Sequence, residues 1–345
     1  MRDERKRAPL LSREGVDTAR EAGLKIVFHG DNAANFRQGF EEFLREPHEI
    51  IDVGDALDGL GEKEHFATAD VIVGVKLGTS EPVPGKLRLY HAPAAGTDAI
   101  DRSRLPSGSL LCNCFGHEYA IAEYVMTALL LRHVPIPDAD AKLRKGDWAY
   151  LAGRPGALRT ELGSQTIGLL GFGHIGKAIA ARAKAFGMRV VVANRSPVPC
   201  SELVDESYGL GQLQPFMGST DAIVVSLPFS AETKSIVGAL EIAAMRPDAV
   251  IINVGRGPVI DEQALFEALS GRRIGGAIID TWYNYPAPDK PQCQPGTLAF
   301  NELNNLIMTP HMSGWTTGTV RRRQATIAAN IDRLARNEPL VNVVS

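Results

Sequence analysis

The sequence predicts an α/β protein built as two doubly wound parallel-sheet domains. Three observations predict it. Short apolar runs rich in Val and Ile alternate with helix-like segments along most of the chain. These runs are apolar on both faces, as strands covered by helices on both sides must be. One run leads directly into Gly171, Phe172, Gly173, His174, Ile175 and Gly176, a glycine loop that opens a helix.

The first series opens with LKIVFHG (24–30), a strand, and an amphipathic helix over 33–45 that stops before Pro47. HEIIDVG, DVIVGVK, LRLYHAP and SLLCNCF are further short strands separated by polar or Gly/Pro-rich links. A long helix starts near Glu118 and runs past Arg132, before the Pro-containing VPIPDADA. The second series has six strands: TIGLLGFG, RVVVANR, DAIVVSLP, AVIINVG, IGGAIID and NLIMTPH. Helices separate the first five, and a loop through Pro286, Pro288, Pro291 and Pro295 makes the last link. Six such units over about 145 residues match a complete dinucleotide-binding domain. After Gly314 the chain returns to helix, from Trp315 to Arg336.

The 345 residues correspond to roughly two domains at about 150 residues each. Hydrophobic residues make up 44% and charged residues 22%, which excludes a disordered or fibrous chain. The net charge of −3 argues against a nucleic-acid partner, which would demand a basic excess. The start, MRDERKRAPLLSREG, has no apolar core, so it is no secretory signal; Asp3, Glu4 and Glu14 also break a basic targeting segment. No run reaches the roughly 18 apolar residues of a membrane helix, so no membrane partner is expected. Cys112, Cys114, Cys200 and Cys293 are too sparse for a disulfide framework and point to a reducing cytoplasm. No second Cys/His cluster completes a metal site around Cys112 and Cys114, so no metal is expected and the pair is read as core.

The glycine loop carries the cofactor reading. Gly171 permits a tight turn, Gly173 lets the backbone approach a pyrophosphate, and Gly176 lets the helix pack on its strand. The helix N-terminus adds amide donors and a positive dipole end. The end of the next strand should carry an acid if the cofactor is NAD. It carries Asn194, Arg195 and Ser196 instead, and Arg195 can pair with a 2′-phosphate. NADP is therefore favoured over NAD, the alternative being a solvent-facing Arg195 with NAD held through the ribose alone.

HAPAAGTDAID, AIAEYVM, TIGLLGFGHIG, SLPFSAETKSIV, INVGRGPVIDEQAL, GGAIIDTW and MTPHMSGWT together resemble the D-isomer-specific 2-hydroxyacid dehydrogenase family, in the family's order, over about residues 70–340. That family includes glyoxylate/hydroxypyruvate reductases and phosphoglycerate and formate dehydrogenases. The resemblance implies a Rossmann coenzyme domain, 121–313, inserted into a flavodoxin-like substrate domain, 1–120 with 314–345. It implies an active site in the cleft, a homodimer built on the coenzyme domains, and hydride transfer between NAD(P)H and a small anionic 2-oxo or D-2-hydroxy acid, of glyoxylate or hydroxypyruvate type.

By family position Arg256 clamps the substrate, since a planar guanidinium grips a carboxylate with two hydrogen bonds. His311 is the acid/base, with a pKa suited to reversible proton transfer. The amides of Ala95 and Gly96 match the loop that receives the substrate carboxylate, and Asp280 matches the acid that orients the nicotinamide carboxamide. Leu227, Pro228, Thr233, Val254, Gly255 and Gly314, with His174 and Ile175, fall on the family's cofactor-lining positions. His117, in GHE, lies near a family substrate contact or is a helix-entry residue touching only protein. Trp315 walls the cleft or packs at the domain boundary, and Tyr283 and Tyr285 shape the pocket.

One position departs from the family. Five residues after Asp280, where the family places a Glu paired with the His, stands Tyr285. A neutral phenol cannot supply a carboxylate's stabilisation of imidazolium. The favoured reading is that Tyr285 hydrogen-bonds His311 and leaves a weaker acid, working at lower pH. Glu118 standing in from across the cleft is a second reading. A reaction needing no relay, as in oxidation of formate or phosphite, is a third, although phosphite specialists carry Lys where this chain has Ala95. Outside enzymes, a dinucleotide-sensing protein like the family's corepressors is the rival, opposed by the lack of long tails and of a basic patch.

Overall fold

The structure is a computed structural model that describes residues 23–287 and 290–344. The readings of the N-terminal segment, with Asp3, Glu4 and Glu14, and of Pro288 lie outside the described residues. The chain divides into two compact units, 1–114 with 320–345, and 115–319. In sequence, the second unit interrupts the first.

The first unit contains β1 (Lys25–His29), α1 (Gly30–Ala34), β2 (Glu49–Val53), α2 (Glu62–Ala67), β3 (Val71–Val73), β4 (Leu89–His91) and β5 (Leu110–Cys112). The second runs through α3 (Glu118–His133), α4 (Ile136–Leu143), β6 (Thr166–Leu170), α5 (His174–Ala185), β7 (Arg189–Asn194), β8 (Glu206–Gly209) and α6 (Leu213–Gly218). It continues with β9 (Ala222–Val225), α7 (Ala239–Ala243), β10 (Val250–Asn253), α8 (Glu262–Ser270), β11 (Gly276–Ile279) and β12 (Leu306–Met308). Helix α9 (Thr317–Ala335) belongs to the first unit from Val320 onward.

In the first unit the strand order is β2-β1-β3-β4-β5, all parallel, the flavodoxin-like order. Alternation along β1 sends Ile26 and Phe28 to one face and Val27 to the other. The first face is closed by Ile327, Ala328 and Ile331 of α9, and the second by Phe66 of α2. Buried His91 donates from Nδ1 to Ala92 O (3.3 Å) and accepts at Nε2 from Asn330 (3.0 Å). Burial pushes its pKa down to about 4. Cys112 and Cys114 are core residues, and burial pushes their thiols up to about 11 and about 12.

In the second unit the order is β12-β11-β10-β9-β6-β7-β8, all parallel, a Rossmann order extended by one strand. Ile167 and Leu169 of β6 face α3 and α5, while Leu170 faces the core under α6 and α8. The order reverses between β6 and β9, which makes the crevice at their carboxyl ends the place for a ligand.

The structure corrects several readings of the chain. The helix expected over 33–45 is only α1 followed by a turn of 3-10 helix at Phe40–Phe43. Gly39, at φ +71°, breaks it, because that left-handed backbone stops an α-helix. The second sheet has a seventh strand, β8, whose ESYG is half-exposed at an edge and carries no apolar run. The Pro-containing VPIPDADA leads into α4, Ile136–Leu143, whose first turn tolerates proline. The units divide after Cys114 and after Thr319. Helix α3 lies wholly in the second unit, where Ile121, Val125 and Leu129 share a core with Ile179 and Ala183 of α5. Among the described residues no helix is long and apolar enough to cross a membrane, and no group of three or more His, Cys, Asp or Glu could hold a metal.

Candidate active site

Each wall of the candidate site in the second unit starts at the carboxyl end of a strand. β6 turns at Gly171, whose φ of +102° only glycine adopts readily. Gly173 caps α5, and a Cβ there would meet no heavy atom within 4 Å. A Cβ at Gly176 would collide with the Gly171 carbonyl oxygen. So the turn and the packing need the outer glycines, and the middle one leaves open space over a helix N-terminus. That space fits a dinucleotide pyrophosphate. His174 stacks on Phe115, with ring centroids 4.1 Å apart, and Ile175 is half-buried.

At the end of β7, Asn194 Oδ1 accepts the Phe172 N–H (3.3 Å) and its Nδ2 donates to Ser196 O (3.0 Å). Asn194 thus fastens the glycine loop to the strand end, where Arg195 and Ser196 are exposed. The Glu232 carboxyl is held below its ordinary range by the Ser230 hydroxyl first, with Arg195 among the lesser causes. After β9, Leu227 is buried, and Thr233 Oγ1 accepts the Ser230 N–H (2.8 Å) and donates to Pro228 O (2.7 Å). In this structure Thr233 closes the turn that follows Pro228.

β10 ends at Asn253, 1% exposed, whose side chain grips the next turn. Its Oδ1 accepts the Gly255 N–H (3.1 Å) and its Nδ2 donates to Arg256 O (3.1 Å). Arg256 Nη1 donates to Gly255 O (2.9 Å). A Cβ at Gly255 would lie 2.7 Å from Leu227 O, and one at Gly257 would collide with Trp282 O. Glycines therefore flank Arg256 because two neighbouring backbones pass close to them. Val254 is buried beneath the turn.

β11 ends at Asp280, 0% exposed, whose N–H donates to Asn253 O (3.0 Å). Asp280 Oδ1 accepts from Thr309 Oγ1 (2.6 Å) and the Met312 N–H (2.9 Å), and Oδ2 accepts the Ser313 N–H (3.0 Å). Trp282 Nε1 donates to Thr309 O (2.8 Å). Thr309 gives its only hydroxyl hydrogen to the carboxylate, so the Tyr124 hydroxyl, 2.8 Å away, donates to Thr309. His311 sits inside this held segment at φ +59°. For a non-glycine residue that backbone costs about 1–2 kcal/mol.

Tyr285 Oη lies 2.9 Å from His311 Nδ1 and accepts the Trp282 N–H at 3.1 Å. Nε2 of the imidazole is then left for a substrate. Desolvation lowers the His311 pKa below its ordinary value; the Asp280 charge opposes this and Arg256 reinforces it. Desolvation likewise raises the Tyr285 phenol, against the Trp282 N–H and the Arg256 charge.

The remaining positions fall elsewhere. His117 precedes α3, with Nδ1 3.8 Å from Glu118 Oε2, and Gly314 packs on His117 Cβ. Glu118 Oε2 accepts the Gly116 N–H (2.7 Å), so its carboxylate serves the helix entry. Trp315 is exposed, while Tyr283 stacks on Phe300 at the edge of the sheet core. In the first unit, the loop after β4 turns its carbonyls inward. Pro93 O accepts from Arg323 (3.0 Å), Ala94 O from the Cys114 N–H (2.9 Å) and Ala95 O from Asn113 (2.7 Å). Among the described residues, the Ala95 and Gly96 N–H groups donate to no protein acceptor.

Sequence reading missed Asn253, Asp280 as a loop holder, Thr309 and Arg323. The first stands inside the NVGRG string, so its place at a strand end was the available signal.

A Rossmann sheet with a glycine loop at its switch point, and a cation and an imidazole beyond the ends of two strands that flank β11, defines a dinucleotide-binding domain suited to redox chemistry. The family model for the D-isomer specific 2-hydroxyacid dehydrogenase NAD-binding domain matches residues 126–313, more than half of the chain, and the chain belongs to that family. It is 31% identical to the D-3-phosphoglycerate dehydrogenase of Methanocaldococcus jannaschii over 292 residues, 82% of this chain and 53% of that protein. The chain thus spans about half the length of that relative. It is 32% identical to the glyoxylate reductase of Thermococcus gammatolerans over 219 residues, 61% of this chain and 62% of that one. Among solved structures it resembles an acyclic imino acid reductase in complex with NADPH and D-Arg. The TM-score is 0.72 at 25% identity, covering 93% of this chain and 100% of that one.

Proposed function

We propose that this chain transfers hydride between NAD(P)H and a small 2-oxo acid, forming the D-2-hydroxy acid, with glyoxylate and hydroxypyruvate as the first substrates to try. The observation that carries the proposal is the placement of Arg256 and His311 beyond the carboxyl ends of β10 and β12, on either side of β11, in the sheet that bears the glycine loop. The bound dinucleotide supplies the hydride. The amides at Gly173, His174 and Ile175 hold its pyrophosphate. Arg256 binds the substrate carboxylate and draws charge toward the carbonyl oxygen. His311 delivers a proton from Nε2 to the developing alkoxide. Tyr285 fixes the ring through Nδ1. The Ala95–Gly96 amides offer a further carboxylate receptor in the first unit, and His117 a polar contact.

NADP is the favoured cofactor, because the end of β7 offers Asn194, Arg195 and Ser196 and no carboxylate. Pairing with a second copy is supported by Ile136, Leu143, Trp148, Leu151 and Leu158, all exposed. The free cysteines fit a reducing compartment such as the cytoplasm.

The test is a panel of 2-oxo acids with NADPH and NADH, from acid to alkaline pH. NADPH oxidation by glyoxylate or hydroxypyruvate is expected. Tight NADPH binding with no turnover of any 2-oxo acid would overturn the proposal in favour of a dinucleotide sensor. Formate or phosphite with NADP, run alongside, separates the anion-oxidising alternative.

A second reading is reduction of a C=N bond, and Tyr285 in place of a carboxylate favours it. An iminium already carries its proton, so hydride addition asks nothing of His311. The solved imino acid reductase shares this fold. Turnover of a 2-oxo acid that appears only when ammonia or methylamine is added would favour this reading.

A further inference from the structure

We infer that the cavity at the amino ends of β6, β7, β9 and β10 is a binding site for a small zwitterion with an apolar side chain, an amino acid about the size of leucine. The site lies within the second unit, at the sheet edge opposite the glycine loop, and does not depend on the proposed reaction.

The cavity measures about 340 Å³. Small-molecule sites start at about 300 Å³, so it suits a ligand of few atoms. Leu129, Leu162, Met188 and Val250, all buried, form its apolar wall. Covering that wall with a hydrocarbon side chain removes apolar surface from water on both partners.

Groups of both signs complete the lining. Arg132, at the end of α3, donates from Nη2 to Asp248 O (3.2 Å). It also fills the space beside Gly275, where a Cβ would lie 2.7 Å from Nη2. A guanidinium has five N–H donors, so this bond leaves a pair to grip a carboxylate. His133 Nδ1 lies 2.6 Å from Thr160 Oγ1. With Thr160 donating, Nε2 carries the ring hydrogen and adds a second carboxylate donor. Desolvation first, then the Arg132 charge, lowers the His133 pKa, so Arg132 is the cation and His133 a neutral partner.

The acceptor for the ammonium is Asp248. Asp221 is already committed, since Oδ2 accepts the Thr166 N–H (2.7 Å) and Oδ1 pairs with Arg246 Nη1 (3.0 Å). Asp248 is exposed, and its carboxylate meets Arg246 only at 3.7 Å. Arg132 and Arg246 balance Asp221 and Asp248, so a lone carboxylate or a lone ammonium would bring an unmatched charge. A zwitterion brings none. The negative end of the α3 dipole further opposes a bare anion and favours an ammonium.

The test is calorimetric titration of the full chain with leucine of either hand, with 4-methylpentanoate, which lacks the ammonium, and with 3-methylbutylamine, which lacks the carboxylate. Leucine should saturate one site. Each truncated analogue should bind at least about tenfold more weakly, the worth of one charge-assisted contact. Saturating NADPH should leave the leucine Kd within about twofold. Absence of saturable heat from both enantiomers would overturn the inference. So would an analogue that binds as tightly as leucine. A leucine Kd raised about tenfold by NADPH would put the ligand in the cofactor crevice and overturn it too.

Arg132→Ala and Asp248→Asn separate the two charges. Both side chains are exposed, so neither change empties a core. Arg132→Ala should weaken leucine and 4-methylpentanoate about tenfold and leave 3-methylbutylamine unchanged. Asp248→Asn should weaken leucine and 3-methylbutylamine and spare 4-methylpentanoate. A leucine Kd that neither variant moves would place the ligand outside this cavity.

Discussion

The Tyr285 hydroxyl stands 2.9 Å from His311 Nδ1 and is itself held by the Trp282 N–H. A phenol in this place orients the ring without charging it. The imidazole, already lowered by desolvation, is protonated mainly on the acid side of its ordinary range. Reduction needs the protonated ring, so its rate should fall as pH rises through that lowered value. Tyr285→Glu adds a negative charge at Nδ1 and should carry the falling limb to higher pH, by about one unit. Tyr285→Phe should cost about tenfold in kcat through loss of orientation. The check is the pH–rate profile of 2-oxo acid reduction; identical profiles for wild type and Tyr285→Glu would separate the phenol from the chemistry.

Arg256→Ala should lower kcat/KM about 1000-fold, as expected for removing a charge-assisted clamp, while the NADPH Kd stays within about threefold. Arg256→Lys should recover little, because a point charge cannot reproduce the two-pronged grip. Steady-state kinetics beside fluorescence titration decide it. Equal losses in turnover and NADPH binding would place Arg256 at the cofactor instead.

Cofactor choice should lie at the end of β7. Arg195→Ala should lower the NADPH/NADH ratio of kcat/KM by about tenfold, the worth of one ion pair to a 2′-phosphate. Asn194→Asp should lower it further by repelling that phosphate, at some cost to the glycine loop that Asn194 secures. A ratio left unchanged by Arg195→Ala would mean that the guanidinium faces only water and Glu232.

The first unit should be acid-labile. Folded His91 binds its proton only below about pH 4, whereas an exposed imidazole binds it below about 6.5. Between those values the unfolded chain holds more protons, so stability is complete above about 6.5 and declines as pH falls toward 4. The loss from this group is about 3 kcal/mol. His29, also lowered by burial, acts in the same direction. His91→Gln keeps a donor and an acceptor and removes the titration, so its melting temperature should fall less steeply over this range. Parallel curves for the two proteins would refute the assignment.

Much of this was legible in the chain because the signal was local. Doubly covered strands show as apolar runs, and the glycine loop announces its turn, its opening and its helix within six residues. Tyr285 and His311 could be paired on paper because their strings sit in a known order. The edge strand β8 was not legible, since a half-exposed polar strand has no apolar run to betray it. Nor were the holders. Asn253 and Asp280 act through turns whose positions depend on strand register. Arg323 and Asn330 act on residues 230 and 239 positions away. Contacts of that span follow from topology and leave no periodic trace.

The last helix gives the molecule an order of assembly. Ile327, Ala328 and Ile331 cover a face whose strands end at Cys112. About 200 residues of synthesis separate the two, or roughly 10–40 s at the usual pace of a ribosome. Through that interval the first sheet has one bare side, while the second unit can complete both of its cores from its own sequence. The nascent chain should therefore fold from its middle outward, and the sheet made first should be the last to become protease-resistant.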